Sequence, residues 1–383
     1  MTGETAQGLR NRFEDAPVTL ETLVCDPCLP GEELGHWQEL ADRSLDPNPF
    51  FGPEFLIPFL EDTGRKGVRL AVIRDSQTGR WLMAAPVGRR KLGFVLKAAS
   101  LWATEYGPLG VPLIAPEAPE ETCGLFAGHV ARLTGLPLVA FPYLPLNSLS
   151  AGRIVEGVPG VRIAHEAVRA AHDGGELGAA QFAGAYTVRR RKEFSRLIRR
   201  LEDKGTLEFR SLSGAEAVPA FEQFLQLEAS GWKGTRGSAL LSHPETVRFA
   251  RTMIASKARG DGVRIDGVFL SGEPIAMLVL LIDGGRAFSW KIAYDEAYAR
   301  YSPGAQATLF ALERSLVDPS ITGGDSLAVP GHKMIEPLWR GRMSYGTLLC
   351  AVGPAGTLMR GLGRLDLAAE QGLRRMARKL LRR

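Results

Sequence analysis

Apolar positions along the first half of the chain alternate between two periods. Continuous or every-other-residue apolar runs at 18–24, 68–74, 81–89, 94–102 and 136–143 predict strands, whereas 34–45, 53–60 and 117–133 carry the three-to-four-residue spacing of amphipathic helices. The second half repeats the order. Residues 189–201, 215–232, 244–257 and 303–316 have helical spacing, and 207–212, 263–270, 274–282, 287–294, 325–329 and 346–352 predict strands. Asp283-Gly284-Gly285, set between two apolar runs, is a hairpin signal, because a tight two-residue turn needs positive φ. Residues 152–184 are rich in glycine and alanine and fall between the halves. The order of helix, helix, antiparallel strands, helix and strand thus occurs twice, although no sequence identity between the halves is visible.

This pattern divides the chain into a loosely ordered N-terminus (1–16), a first α/β unit (17–150), a linker or crossover (151–184), a second unit (185–353) and a terminal helix (354–383). At 383 residues, two units are expected on size alone. A hydrophobic fraction of 45% and a charged fraction of 23% fit a folded protein. No apolar run is long enough to cross a bilayer and the first residues are polar, so the expected location is cytoplasmic. Cys25 and Cys28 form a single C-x-x-C with no second pair beside it, and no metal is expected.

Charge is unevenly placed. Between residues 356 and 383 there are eight basic residues against Asp366 and Glu370, more than the net +5 of the entire chain. The body is therefore close to neutral, and no nucleic-acid surface is expected. In the tail, Leu358, Leu362, Leu365, Ala369, Leu373, Met376 and Leu380 form an apolar helical stripe with arginines between. Such a helix either lies on an anionic membrane surface or packs on the body. The second basic cluster, Arg189 to Arg200, reads as a solvated helix face or as an anion site.

The chemistry concentrates between residues 286 and 316. A strand carrying Trp290, Lys291 and Tyr294 ends at Asp295, and Ser302-Pro303-Gly304 then opens a helix. Serine before proline is a helix start in which the hydroxyl caps free amides, and the helix N-terminus offers N–H groups and a positive dipole end to an anion. Gly304 and Ala305 lack bulk, and Arg300 could add a charge-assisted bond.

This strand–loop–helix resembles that of the GNAT acyltransferases, whose Arg/Gln-x-x-Gly-x-Gly/Ala loop holds the CoA pyrophosphate. The stretch WKIAYDEAYARYSPG, together with LEASGWKGTRGSAL and DSLAVPGHKMIEPLWRG, is similar to the CelD-type subgroup linked to bacterial polysaccharide and envelope synthesis. Fem-type aminoacyl transferases are more distant relatives. The resemblance covers about residues 185 to 350 and implies an α/β fold with tandem GNAT-like domains in a Fem-like arrangement. It implies acyl-CoA as co-substrate, with Arg300, Ser302, Gly304, Ala305 and Gln306 as its contacts. Pro303 departs from the pattern, because it has no N–H to donate.

Direct attack of an amine on a thioester needs a proton acceptor and an oxyanion donor, and no metal. Asp295, Glu228, Asp325, His332 and Lys291 are the candidates, each with a structural alternative as cap, solvated carboxylate or sheet residue. Trp232, Lys233, Trp290 and Tyr294 are candidate substrate-pocket residues. The acceptor expected is an amine of an envelope sugar or lipid, with a long-chain acyl group on a lipid amine, as in a ceramide synthase, one instance. The rivals are a Fem-type transferase using aminoacyl-tRNA and a non-catalytic adaptor of polysaccharide synthesis.

Overall fold

The computed structural model describes residues 18–380, so the segment 1–16 and the terminal Arg382 and Arg383 lie outside it. The first half runs β1 (Leu20–Cys25), α1 (Glu33–Asp42), α2 (Pro53–Thr63), β2 (Arg69–Asp75), β3 (Trp81–Lys91), β4 (Lys97–Leu101), β5 (Leu113–Ile114), α3 (Thr122–Thr134), β6 (Leu138–Pro145) and α4 (Leu149–Gly157). Next come β7 (Arg162–Asp173), α5 (Gly175–Ala185) and α6 (Val188–Glu202). The second half runs β8 (Leu207–Ser213), α7 (Ala217–Ser230), α8 (Trp232–Thr235), α9 (Pro244–Lys257), β9 (Val263–Leu270), β10 (Glu273–Asp283), β11 (Arg286–Tyr294), α10 (Pro303–Val317), β12 (Gly323–Asp325), β13 (Gly341–Ala351) and α11 (Gly353–Leu380).

All the strands join one sheet, in the order β1-β2-β3-β4-β6-β13-β7-β12-β11-β10-β9-β8, with β5 on β3. The two halves are laid out alike. Each begins with an antiparallel run, and each contains one short parallel pairing: β4 with β6 at Ala99↔Val139 and Ser100↔Ala140, and β11 with β12 from Arg286↔Gly323 to Phe288↔Asp325. Their last strands are exchanged. β7 leaves the first half to pair with β12, while β13 returns from the second half to pair with β6, and the two exchanged strands run antiparallel side by side at the centre. The glycine- and alanine-rich segment 151–184 therefore carries most of α4, all of β7 and nearly all of α5, and its strand forms part of the sheet's centre.

Local chemistry explains several boundaries. Gly284 and Gly285 take φ of +49° and +71° between the paired Asp283 and Arg286, which places the hairpin turn at the glycines. The helix expected through residue 232 stops at Ser230, because Gly231 adopts extended backbone (φ −91°, ψ −169°). α10 does begin at Pro303, but Ser302 caps it differently from the expectation: the residue sits at φ +53° and its hydroxyl makes no capping bond. Its carbonyl accepts the amides of Ala305 and Gln306 instead, both at 3.1 Å.

The core runs through both halves. Phe55 and Phe59 of α2 meet Phe249 of α9 with ring centroids 5.1 and 5.2 Å apart, in edge-on arrangements that favour aromatic pairs. α6 buries Phe194, Leu197 and Leu201 and turns most of its arginines outward. No helix among the described residues is long and apolar enough to cross a membrane.

Candidate active site

In the second half, β11 and β12 stay paired only as far as Phe288 and Asp325, and beyond that point they separate. A bulge adds to the opening: Val279 of β10 faces Lys291, but Leu280 faces Ser289, which leaves Trp290 as the extra residue. A cavity of about 480 Å³ occupies this gap. Its wall takes Glu228, Trp232 and Lys233 from α7 and α8, Trp290, Lys291 and Tyr294 from β11, and His332 from the loop after β12. Glu105 and Pro108, on the loop after β4, close it from the first half.

Lys291 is the exceptional group. Among the described residues it makes no hydrogen bond or ion pair; its ammonium lies over the Tyr106 ring at 5.1 Å and the Trp290 ring at 5.9 Å. Burial pulls its pKa below the usual lysine value, only partly opposed by the Glu228 carboxylate. The neighbouring Lys233 is fully engaged, donating to Glu228 Oε1 at 2.8 Å and to the Ile292 carbonyl at 2.7 Å. Glu228 is buried, and its second oxygen accepts the Leu240 amide at 2.8 Å. Trp290 donates its indole N–H to the Tyr106 carbonyl at 2.7 Å, which ties the bulge to the first half.

His332 is half-buried, and burial lowers its pKa against a weaker opposing effect of Glu336. The Ile335 amide donates to His332 Nδ1 at 3.5 Å, a long and therefore weak hydrogen bond.

The remaining sequence candidates sit elsewhere. Asp295 accepts the Ala297 amide at 2.9 Å and caps the turn that precedes α10, outside the cavity wall. Asp325 is a buried structural carboxylate paired with Arg169 of β7 and accepting the Leu327 amide at 2.9 Å. None of Arg300, Ser302, Gly304, Ala305 and Gln306 lines the cavity. Arg300 is exposed and stacks on Tyr301, and the Gln306 amide is spent on the Tyr301 carbonyl at 2.8 Å. Gly304 lies under Met334, whose methyl carbon would stand 3.0 Å from any β-carbon placed there.

Four contributors were not among the sequence candidates. Glu105 and Tyr106 come from a loop with no pattern beyond a turn-forming Tyr-Gly-Pro, and Met334 looks like any apolar loop residue. Arg169 did carry a signal, a lone charge inside the run Ala167 to Ala171. A larger cavity of about 660 Å³ opens beside β4 and β6 in the first half, lined by Ser100, Tyr143 and His165 among others. It occupies the equivalent gap of that half, but the lysine on its wall, Lys91, is exposed to solvent, whereas Lys291 is set over two aromatic rings in the smaller cavity.

Residues 188–320 match the family model described as an acetyltransferase (GNAT) domain. No curated protein matches the chain. Among solved structures, FemX superposes with a TM-score of 0.51 at 9% identity, covering 88% of this chain and 98% of its own. L-PGS from Bacillus licheniformis gives 0.51 at 13% identity, covering 88% and 97%. At these identities the likeness is one of fold: a mixed α/β protein with two GNAT-like halves in the FemX arrangement.

Proposed function

We propose that the protein transfers an acyl group from a CoA thioester to an amine in the cavity between β11 and β12. The observation that carries the reading is Lys291, a lysine without a partner set in a cavity of the GNAT-matching region. An unpaired ammonium keeps all three N–H donors for charge that develops during a reaction. The amine nitrogen attacks the thioester carbonyl carbon, and the oxyanion so formed accepts a hydrogen bond from Lys291 Nζ. His332 takes the amine proton at Nδ1, giving up the weak hydrogen bond from the Ile335 amide, and returns the proton to the sulfur as the carbon–sulfur bond breaks, so the products are an amide and a free thiol. The Glu228–Lys233 pair holds the wall against which the acceptor lies.

The diphosphate of the donor would meet the start of α10. Gly304 can offer an N–H and Arg300 a free guanidinium there, while Pro303 offers nothing and Met334 must swing aside. We infer that the acceptor is an amine of an envelope sugar or lipid, a reading supported by the resemblance to envelope-synthesis proteins. The second reading, transfer of an aminoacyl group from tRNA, is favoured by the overall likeness to FemX and by the outward arginines of α6.

Release of free thiol from acetyl- and palmitoyl-CoA, with an amino sugar or a sphingoid amine as acceptor, tests the proposal. Amine-dependent thiol release that disappears in Lys291→Met supports it. No CoA binding in calorimetry, together with discharge of aminoacyl-tRNA, overturns it in favour of the second reading.

A further inference from the structure

The terminal helix α11 has two unlike faces, and the leucines are on the one directed away from the protein. Gly356, Gly363 and Leu367 are buried against the body. The two glycines let the helix lie close: a β-carbon at Gly356 would stand 2.3 Å from the Pro137 carbonyl, and one at Gly363 would press on Leu92, Leu96 and Leu138. On the other side Leu358 and Leu365 are 71% and 70% exposed, and Leu362, Leu373 and Met376 are each more than half exposed. A packing helix would normally turn this stripe inward.

Asp366 fixes the orientation. Its carboxylate accepts the amides of Phe94 (3.0 Å), Val95 (3.2 Å) and Leu96 (2.8 Å) at the tip of the β3–β4 hairpin. Asp366 lies four residues after Leu362 and seven before Leu373, on the same side of the helix. The hairpin tip is thereby set beside the leucine stripe, and it adds Phe94, 47% exposed, and Val95, 78% exposed. The arrangement also removes the usual penalty for placing a loop tip in an apolar medium, because these three amides already have an acceptor.

We propose that this composite face, the outer stripe of α11 with the Phe94–Val95 tip, docks on an anionic phospholipid bilayer. The charge argues for that occupant. Eight basic residues lie between 356 and 383 against two acidic ones, and Asp366 is consumed by the hairpin. Two copies of this face apposed to one another would bring like charges together, whereas an anionic surface complements them. The inference is independent of the acyl-transfer reading: the face is complete whatever reaction the cavity performs.

Sedimentation of the full chain with vesicles of phosphatidylglycerol and phosphatidylcholine, against phosphatidylcholine alone, tests it. The wild type should pellet with the anionic vesicles and be released by salt. The double variants Leu362→Asp/Leu365→Asp and Phe94→Ser/Val95→Ser should each lose at least about tenfold in binding, with an unchanged melting temperature since all four side chains are exposed. A wild type that stays in the supernatant overturns the proposal, and so do variants that still bind as tightly. A dimer that both variants dissociate, seen by sedimentation equilibrium without vesicle binding, reassigns the face to a second copy.

Discussion

Lys233 Nζ lies 2.8 Å from Glu228 Oε1, and the carboxylate it meets has no exposed side-chain surface. This ion pair bridges α7 and α8 across Gly231, and through the Ile292 carbonyl it fastens both helices to β11 beside Lys291. Lys233→Met leaves a buried carboxylate with only the Leu240 amide, and should cost about 3 kcal/mol in chemical unfolding. Glu228→Gln keeps the shape and the Leu240 contact and should cost less. Equal losses for the two variants would deny the pair its role.

Lys291 should show the opposite sign. A cation held in a cavity without a counter-ion costs stability, so Lys291→Met is expected to raise stability by about 1 kcal/mol. The same variant should lose at least about a hundredfold in amine-dependent thiol release. A variant both less stable and fully active would remove Lys291 from the reaction.

The pH profile follows from the same two groups. The lowered pKa of His332 keeps the imidazole neutral down to pH values below the ordinary histidine range, so the acid limb of kcat/KM should fall there. Lys291 is active as the cation, and its lowered pKa brings the alkaline limb below the ordinary lysine value. His332→Gln should abolish the acid limb while leaving the alkaline limb. An acid limb that survives this substitution would assign it to another group.

Arg169 and Asp325 join β7 to β12 where the exchanged strand meets the second half, with side chains 2% and 1% exposed. The guanidinium also covers the Tyr345 ring at 4.6 Å and donates to the Pro108 carbonyl at 3.3 Å. Asp325→Asn strands a buried cation and should destabilise by about 3–5 kcal/mol, whereas Arg169→Met combined with Asp325→Leu should recover much of that loss. Additive losses in the double variant would contradict this account.

His172 gives the fold an acid sensitivity. It is buried edge-on to Trp339 at 4.6 Å, and burial brings its pKa down to about 4. Between pH 6.5 and that value the unfolded chain binds the proton and the folded one does not, so stability falls as pH falls through the window and then levels off. The loss amounts to about 3 kcal/mol. His172→Leu should flatten the dependence of unfolding free energy on pH in that range.

What the sequence made legible was mainly local. The 283–285 hairpin and the starts of α9 and α10 are set by glycine and proline, whose backbone requirements depend on no distant partner. Strand β9 was visible from Val263, Ile265, Val268, Phe269 and Leu270, although all eight of its positions are buried and two of them, Arg264 and Asp266, are charges paired at 3.0 Å. The exchange of β7 and β13 was not visible, because apolar period records which face a strand buries and not which neighbour it chooses. Asp325 looked chemical for the same reason: its partner lies 156 positions earlier. In α11 the leucine stripe was plain, but the packing face is marked by Gly356 and Gly363, which a hydrophobicity pattern discounts. The cavity collects Glu228, Trp232, Lys233, Trp290, Lys291, Tyr294 and His332 from the candidates, whereas the loop around Ser302 was read from a motif whose amides the fold has already partly used.

The reciprocal placement of β7 and β13 sets the order in which the chain can become a protein. During synthesis β7 emerges roughly 180 residues before the strand that flanks it on one side, and its other neighbour, β12, is also still to come. The first half therefore waits with an unfilled edge at β6 and an unmated strand beside it, a state exposed to wrong pairings until the last strand arrives. Such long-range closure makes for slow maturation. It also makes the two halves a single heritable unit: neither can be cut away, circularised or swapped into another protein without taking a strand that belongs to its twin.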